Sequence, residues 1–160
     1  MNTRQLQQIM NSDTCLRQHT HAVYASDEIP ERVVQRPAFF IVNTQASSLR
    51  GQHWCAFSFF NKTEPAEFFD SMGQSPEYYN QAFLNVLVDN SKHFIYNNTR
   101  IQGKDLTCGQ HCAYYLNKRC RDNTMRCIVN SFSKYNLKEN DVYVKEFVNR
   151  MYGNVVNEFY

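Results

Sequence analysis

Between Pro37 and Asn43 the chain reads AFFIV, apolar at every position, and this run limits the fold more than any other stretch. A strand with one face in water alternates apolar and polar residues. An unbroken apolar run bounded by a proline and an asparagine therefore predicts a strand covered on both faces, at the centre of a sheet. Two aromatic-rich runs follow, HWCAFSFF (53–60) and PAEFFDS (65–71), joined by NKTE. They predict a β-hairpin, with Pro65 tolerated at the start of its second strand. If residues 61–64 form the loop, Phe60 faces Pro65 and Cys55 faces Asp70. His53 then lies on the Asp70 face, on the diagonal, roughly 7–8 Å away at Cβ, within reach of a ring that leans across.

Helical spacing appears on either side of these strands. Leu6, Ile9 and Met10 share a stripe in the segment from Thr3 to Met10. PEYYNQAFLNVLVD (76–89) predicts one helix, with Ser75 as N-cap, Pro76 at the first position and Tyr79, Phe83, Val86 and Leu87 facing inward. HFIYNN (93–98) predicts a short strand. A last helix is expected from Asp141 to Tyr152, stopped at Gly153, with Val144, Phe147, Val148 and Met151 inward. Helices flanking a central sheet predict an α+β or α/β domain.

A length of 160 residues, 42% of them hydrophobic, is about one domain's worth of core, and no repeat or Gly/Ser linker divides the chain. A single domain over 1–160 is expected. The net charge of +2, with 20% charged residues, excludes a strongly basic nucleic-acid coat and an acidic tail. No stretch approaches the roughly 18 apolar residues of a membrane span, and the N-terminus lacks the apolar core of a signal peptide. The expectation is an intracellular protein in a reducing compartment, with no membrane partner. Six cysteines are too sparse for a disulfide scaffold at this length, and are open to reading as core thiols, ligands or catalytic groups.

The stretch IQGKDLTCGQHCAYYL (101–116) holds the densest chemistry. Thr107 is placed to cap a helix whose first turn carries Cys108 and Gly109, and whose buried stripe takes in Cys112, Tyr115 and Leu116. A thiol at a helix N-terminus faces unpaired N–H groups and the positive end of the dipole, both of which favour thiolate. Gly109 removes a side chain beside the sulfur and leaves room there for a substrate backbone. The bland reading of Cys108 is a buried core thiol. Of the five histidines, His53 is the best-placed base, because it begins a strand beside Asp70; a structural histidine and a turn-capping aspartate are the plain alternatives. Gln102 is either a loop amide or, with the Cys108 backbone N–H, an oxyanion donor. Trp54 is either core or the roof of a substrate channel.

Taken together, IVNT, eight residues, then HW, seventeen positions from that histidine to the acid of FFDSMG, and a glutamine leading into a Cys-Gly helix start, resemble the adenovirus endoprotease family, adenain. More distantly they resemble the SUMO-deconjugating, Ulp-type proteases. The resemblance covers about Ala38 to Leu116, and YASDEIP (24–30) is similar to segments of proteases from adenovirus-like mobile elements. It implies an α+β fold with a central mixed sheet flanked by helices. It also implies a cysteine endopeptidase with Cys108 as nucleophile, His53 as general base and acid, Asp70 as orienting carboxylate and Gln102 in the oxyanion hole. Trp54 and Gly109 would bind substrate. The implied substrates are viral precursor proteins of capsid or core, cut at glycine-containing sites, in the host nucleus or cytoplasm and in the virion.

The family also implies DNA as a cofactor, for which Lys118, Arg119, Arg121 and Arg126 are the candidate contacts, and a peptide activator joined through a cysteine. Ser91 sits about where that cysteine is expected, so a disulfide-tethered activator does not carry over. No cofactor is required by the residues themselves. Rival readings are a deconjugase of a ubiquitin-like modifier, an acyl transferase on the same catalytic set, and a zinc-stabilised nucleic-acid module using Cys108, His111, Cys112, Cys120 and Cys127. The spacing between Cys120 and Cys127 falls outside the usual range for a zinc pair, so no metal is expected.

Overall fold

A computed structural model describes residues 1–156. Helix α1 (Thr3–Ser12) is followed by a 3₁₀ turn (Leu16–Gln18) and the strands β1 (Thr20–Tyr24), β2 (Ala38–Asn43), β3 (Trp54–Phe59) and β4 (Ala66–Phe69). Then come α2 (Pro76–Tyr79), α3 (Gln81–Asp89), β5 (Phe94–Tyr96), α4 (Cys108–Cys120), α5 (Met125–Asn130) and α6 (Leu137–Val156). The strands form one mixed sheet in the order β1-β2-β3-β4-β5, parallel at both edges and antiparallel in the middle.

The all-apolar β2 is explained by what covers it. Phe39 and Ile41 point to a core made with Leu6 of α1, Tyr115 of α4 and Val144 of α6. Phe40 and Val42 point to the other face, where Phe57, Phe68 and Phe83 meet. Alternation along a strand sends neighbours to opposite faces, so a strand with helices on both sides needs apolar residues at every position. The central position belongs to β3, not β2, because β1, which has no continuous apolar run to announce it, adds a half-buried edge strand beside β2.

Three other stretches differ from the sequence expectation. The segment 76–89 is two helices, broken at Asn80, whose extended backbone (φ −162°, ψ 129°) ends α2 and whose side chain accepts the Ala82 N–H to start α3. Ser75 makes no side-chain cap. The basic stretch after Leu116 completes α4 and adds α5, capped by Thr124. Helix α6 runs from Leu137 through Gly153 to Val156, with Tyr152 just before the glycine and Val156 one turn beyond it both buried; Met151 points outward, 49% exposed.

Cys15 and Cys120 form a disulfide, which joins the end of α1's following turn to the end of α4. Cys15 is therefore none of the core thiol, ligand or catalytic group that the sequence leaves open, and the free cysteines are Cys55, Cys108, Cys112 and Cys127. Among the described residues no helix is long and apolar enough to cross a membrane.

Candidate active site

The hairpin has the register expected from its loop: Ala56 opposes Phe69, Phe57 opposes Phe68 and Ser58 opposes Glu67. His53, just before β3, and Asp70, just after β4, consequently emerge at the same end, and His53 Nε2 lies 2.6 Å from Asp70 Oδ1. Asp70 is fully buried and its other bonds are all to donors. The Met72 N–H reaches Oδ1 at 3.0 Å; the Gln74 N–H and the Tyr79 hydroxyl reach Oδ2 at 2.9 and 2.7 Å. The turn that supplies those amides passes through Gly73 at φ +76°, where a Cβ would stand 2.6 Å from the Thr99 carbonyl carbon. Only glycine takes that conformation in that space without strain. Asn97 clamps the turn from β5's side, accepting the Asp70 N–H at 2.9 Å and donating to the Asp70 carbonyl at 2.6 Å.

Cys108 opens α4, is 7% exposed, and hydrogen-bonds to His53. Asp70 holds Nε2, which leaves Nδ1 of the imidazole for the thiol. Burial by itself pushes the Cys108 thiol up. The hydrogen bond and positive charge of His53, together with the Trp54 backbone N–H, outweigh burial and hold the thiol below its ordinary value. Burial likewise disfavours charge on His53, but Asp70 and Cys108 raise its pKa to about 9. Both shifts favour a thiolate–imidazolium pair. The Tyr79 ring packs on the imidazole with centroids 5.3 Å apart.

Gln102 is buried in the segment before α4, 5% exposed. Its carboxamide is oriented at both ends: the Ser71 hydroxyl donates to Oε1 at 2.5 Å, and Nε2 donates to the Asp105 carbonyl at 2.8 Å. An amide nitrogen has two hydrogens, so a second donor remains. Thr107 does not cap α4 with its side chain; its hydroxyl is turned to Asp141 at 2.8 Å.

Trp54 and Cys108 line a cleft of about 560 Å³ with Met1, Ala25, Leu49 and Leu106. Trp54 also packs in the core, and its indole N–H donates to the Met1 carbonyl at 3.0 Å. Gly109 does not leave free space beside the sulfur. A Cβ there would meet Met1 Cβ at 3.1 Å and Leu6 Cδ2 at 3.5 Å, so the first residues of the chain occupy that room.

Most of the basic cluster is engaged internally. Arg119 pairs with Glu67 at 2.9 Å and stacks over Phe60, Arg121 pairs with Asp13 at 3.2 Å, and Lys118 lies over Tyr114 and Phe147; Arg126 is exposed. Cys108, His111, Cys112, Cys120 and Cys127 do not converge as a ligand set. Among the described residues, the groups with ligand atoms within 4.8 Å of one another are Cys15, His19 and Cys120, and His53, Cys55 and Asp70. Sequence reasoning missed Ser71, Tyr79 and Asp141. Tyr79 reads from its spacing as part of an inward helical stripe, and nothing local marks Asp141 as a partner of residues 103–111.

No protein-family model matches the chain, and no curated protein does. Among solved structures it is similar to the ASFV pS273R protease, with a TM-score of 0.53 and 16% identity over 89% of this chain and 67% of that one. The likeness is one of fold. A selenomethionine form of the same protease matches with a TM-score of 0.41 and 22% identity, over 68% of this chain and 43% of that one. The mixed sheet with flanking helices is thus the α+β architecture that this protease also has.

Proposed function

We propose that the chain is a cysteine endopeptidase in which Cys108 is the nucleophile, His53 the general base and acid, Asp70 the orienting carboxylate and Gln102 an oxyanion donor. The observation that carries this reading is the unbroken chain from a depressed thiol, through an imidazole, to a buried carboxylate, drawn from three separate elements. In the mechanism, His53 takes the proton of Cys108 and the thiolate adds to the substrate carbonyl. The resulting oxyanion is met by the remaining Gln102 amide hydrogen and the Cys108 N–H. His53 then protonates the leaving amine, and water, deprotonated by His53, releases the acid from the acyl-enzyme.

The substrate is proposed to be protein, with viral precursor proteins cut at glycine-containing sites as the natural targets and an adenain- or Ulp-type ancestry. Intracellular action, and help from DNA at Arg126 or from a peptide that adds a strand without a covalent link, belong to the same proposal.

A thiol-reactive peptide probe followed by mass spectrometry tests it. Modification is expected at Cys108 first and is lost in Cys108→Ala; labelling spread evenly over the four free cysteines contradicts the assignment. Faster capture of a ubiquitin-like modifier bearing a C-terminal electrophile than of a short peptide would move the reading to a deconjugase.

A further inference from the structure

Asp141 stands in the second turn of α6 and is 1% exposed, yet its ionised oxygens are met by no lysine or arginine among the described residues. Its partners belong to the segment that joins Gln102 to Cys108 and to the turn after it. Oδ1 accepts the Gly103 N–H at 3.0 Å and the Thr107 hydroxyl at 2.8 Å; Oδ2 accepts the Asp105 N–H at 3.3 Å. From within α4, His111 Nε2 faces Oδ1 at 3.3 Å. Burial pushes the His111 pKa down to about 4, so at neutral pH this ring is uncharged and its Nε2–H can only donate to the carboxylate. One turn along α6, Lys145 Nζ reaches the Asp105 side chain at 2.5 Å. The approach is close enough to demand glycine: a Cβ on Gly103 would lie 2.6 Å from Asp141 Oδ2 and 3.1 Å from the Leu137 carbonyl.

The two proposed oxyanion donors sit at the two ends of this segment. Gln102 precedes it, with its amide tied to the Asp105 carbonyl inside the segment, and the Cys108 N–H closes it. The distance and angle between the donors are therefore set by the shape of residues 103–107, and that shape is moulded on one carboxylate. We propose that Asp141 is the positioning residue of the oxyanion loop: it holds the two donors in register without touching substrate. The inference rests on the cysteine-protease reading above.

The test separates reactions that form an oxyanion from one that does not. Alkylation of Cys108 by iodoacetamide displaces iodide and needs only the thiolate. A peptide ending in Gly-Gly-aldehyde forms a hemithioacetal: the sulfur, its proton held on His53, bonds to the carbonyl carbon, the C=O π pair moves to oxygen, and that negatively charged oxygen lies among the donors. Asp141→Asn turns an amide NH₂ against donors of the loop. Its alkylation rate at Cys108 is expected to stay within threefold of wild type, while its aldehyde affinity falls at least tenfold, towards the 10²–10³ typical of a lost oxyanion donor. Combining it with Gln102→Ala should add less than the product of the two effects.

Aldehyde affinity within threefold of wild type overturns the inference, and so does a parallel loss of both reactions, which marks a merely structural role. If Asp141→Asn does not fold, Thr107→Val, which deletes one donor to the carboxylate, decides by the same selective loss or its absence. Wild-type Cys108 reacting no faster than the exposed Cys127 would sink the protease reading itself, whereas normal wild-type reactions matched by the variants sink only the role of Asp141.

Discussion

A thiol with 7% of its surface exposed is ordinarily a poorer acid than one in water, and Cys55 and Cys112, both fully buried, follow that rule with pKa values pushed well up. Cys108 departs from it because a charged partner and a helix N-terminus meet at its sulfur. Iodoacetamide should therefore alkylate Cys108 with a pH midpoint below that of an ordinary thiol. In His53→Ala the profile should move up to that of an ordinary thiol. Turnover should hold until His53 loses its proton near pH 9 and fall above it; a limb near 7 would remove the imidazolium from the mechanism. The sign for stability is the same. A His53 pKa raised from 6.5 to about 9 stabilises the fold fully below about 6.5, and that contribution fades as pH rises through 9. Gln102→Ala should lower turnover by about 10²–10³ with the thermal midpoint little changed; a variant within threefold of wild type contradicts the oxyanion role.

Short elements place these groups. The break at Asn80 ends α2 after one turn and leaves Tyr79 beside the site, where its hydroxyl bonds Asp70 and its ring covers His53. A hydrogen bond to a buried charged group is worth about 1.5–3 kcal/mol, so Tyr79→Phe should lose that much in urea denaturation. Its turnover should fall further than its stability explains, because Asp70 loses a partner that fixes its orientation. On the opposite face Phe57 is fully buried and meets Phe68 and Phe83 edge-on at 5.2 and 5.3 Å. Phe57→Ala leaves a cavity under the hairpin and should cost about 3–5 kcal/mol. A loss below 1 kcal/mol would mean that the hairpin collapses onto the gap.

Across the whole molecule, the helices on one face of the sheet are tied to one another. The Cys15–Cys120 disulfide spans 105 positions, and the same region is stitched by Asp13, which accepts from Asn117 at 3.0 Å and from the Tyr152 hydroxyl at 2.5 Å. α1, α4 and α6 are joined there far from Cys108's end of α4. A disulfide closing a long loop typically contributes about 2–4 kcal/mol. Reductant should lower the denaturation midpoint of the wild type and leave that of Cys15→Ser/Cys120→Ser unmoved; equal midpoints with and without reductant would show that the bond adds no stability.

What was legible in the residues was local or periodic. The all-apolar run at 38–42 fixed a doubly covered strand, because period-two alternation leaves no other use for it. The four-residue loop at 61–64 set a register that brings His53 to Asp70, and Thr107-Cys108-Gly109 marked a helix start. What needed the folded chain was whatever depends on contacts between distant segments. Tyr79 reads as an apolar stripe residue until the turn at Asn80 aims it at Asp70. Gly109 reads as open space until Met1 fills it, and Asp141 reads as the start of a helix until residues 103–107 are pressed against it. A single residue's spacing encodes which way it faces on its own strand or helix. Which group it meets there is decided by packing, and packing is a property of all the elements at once.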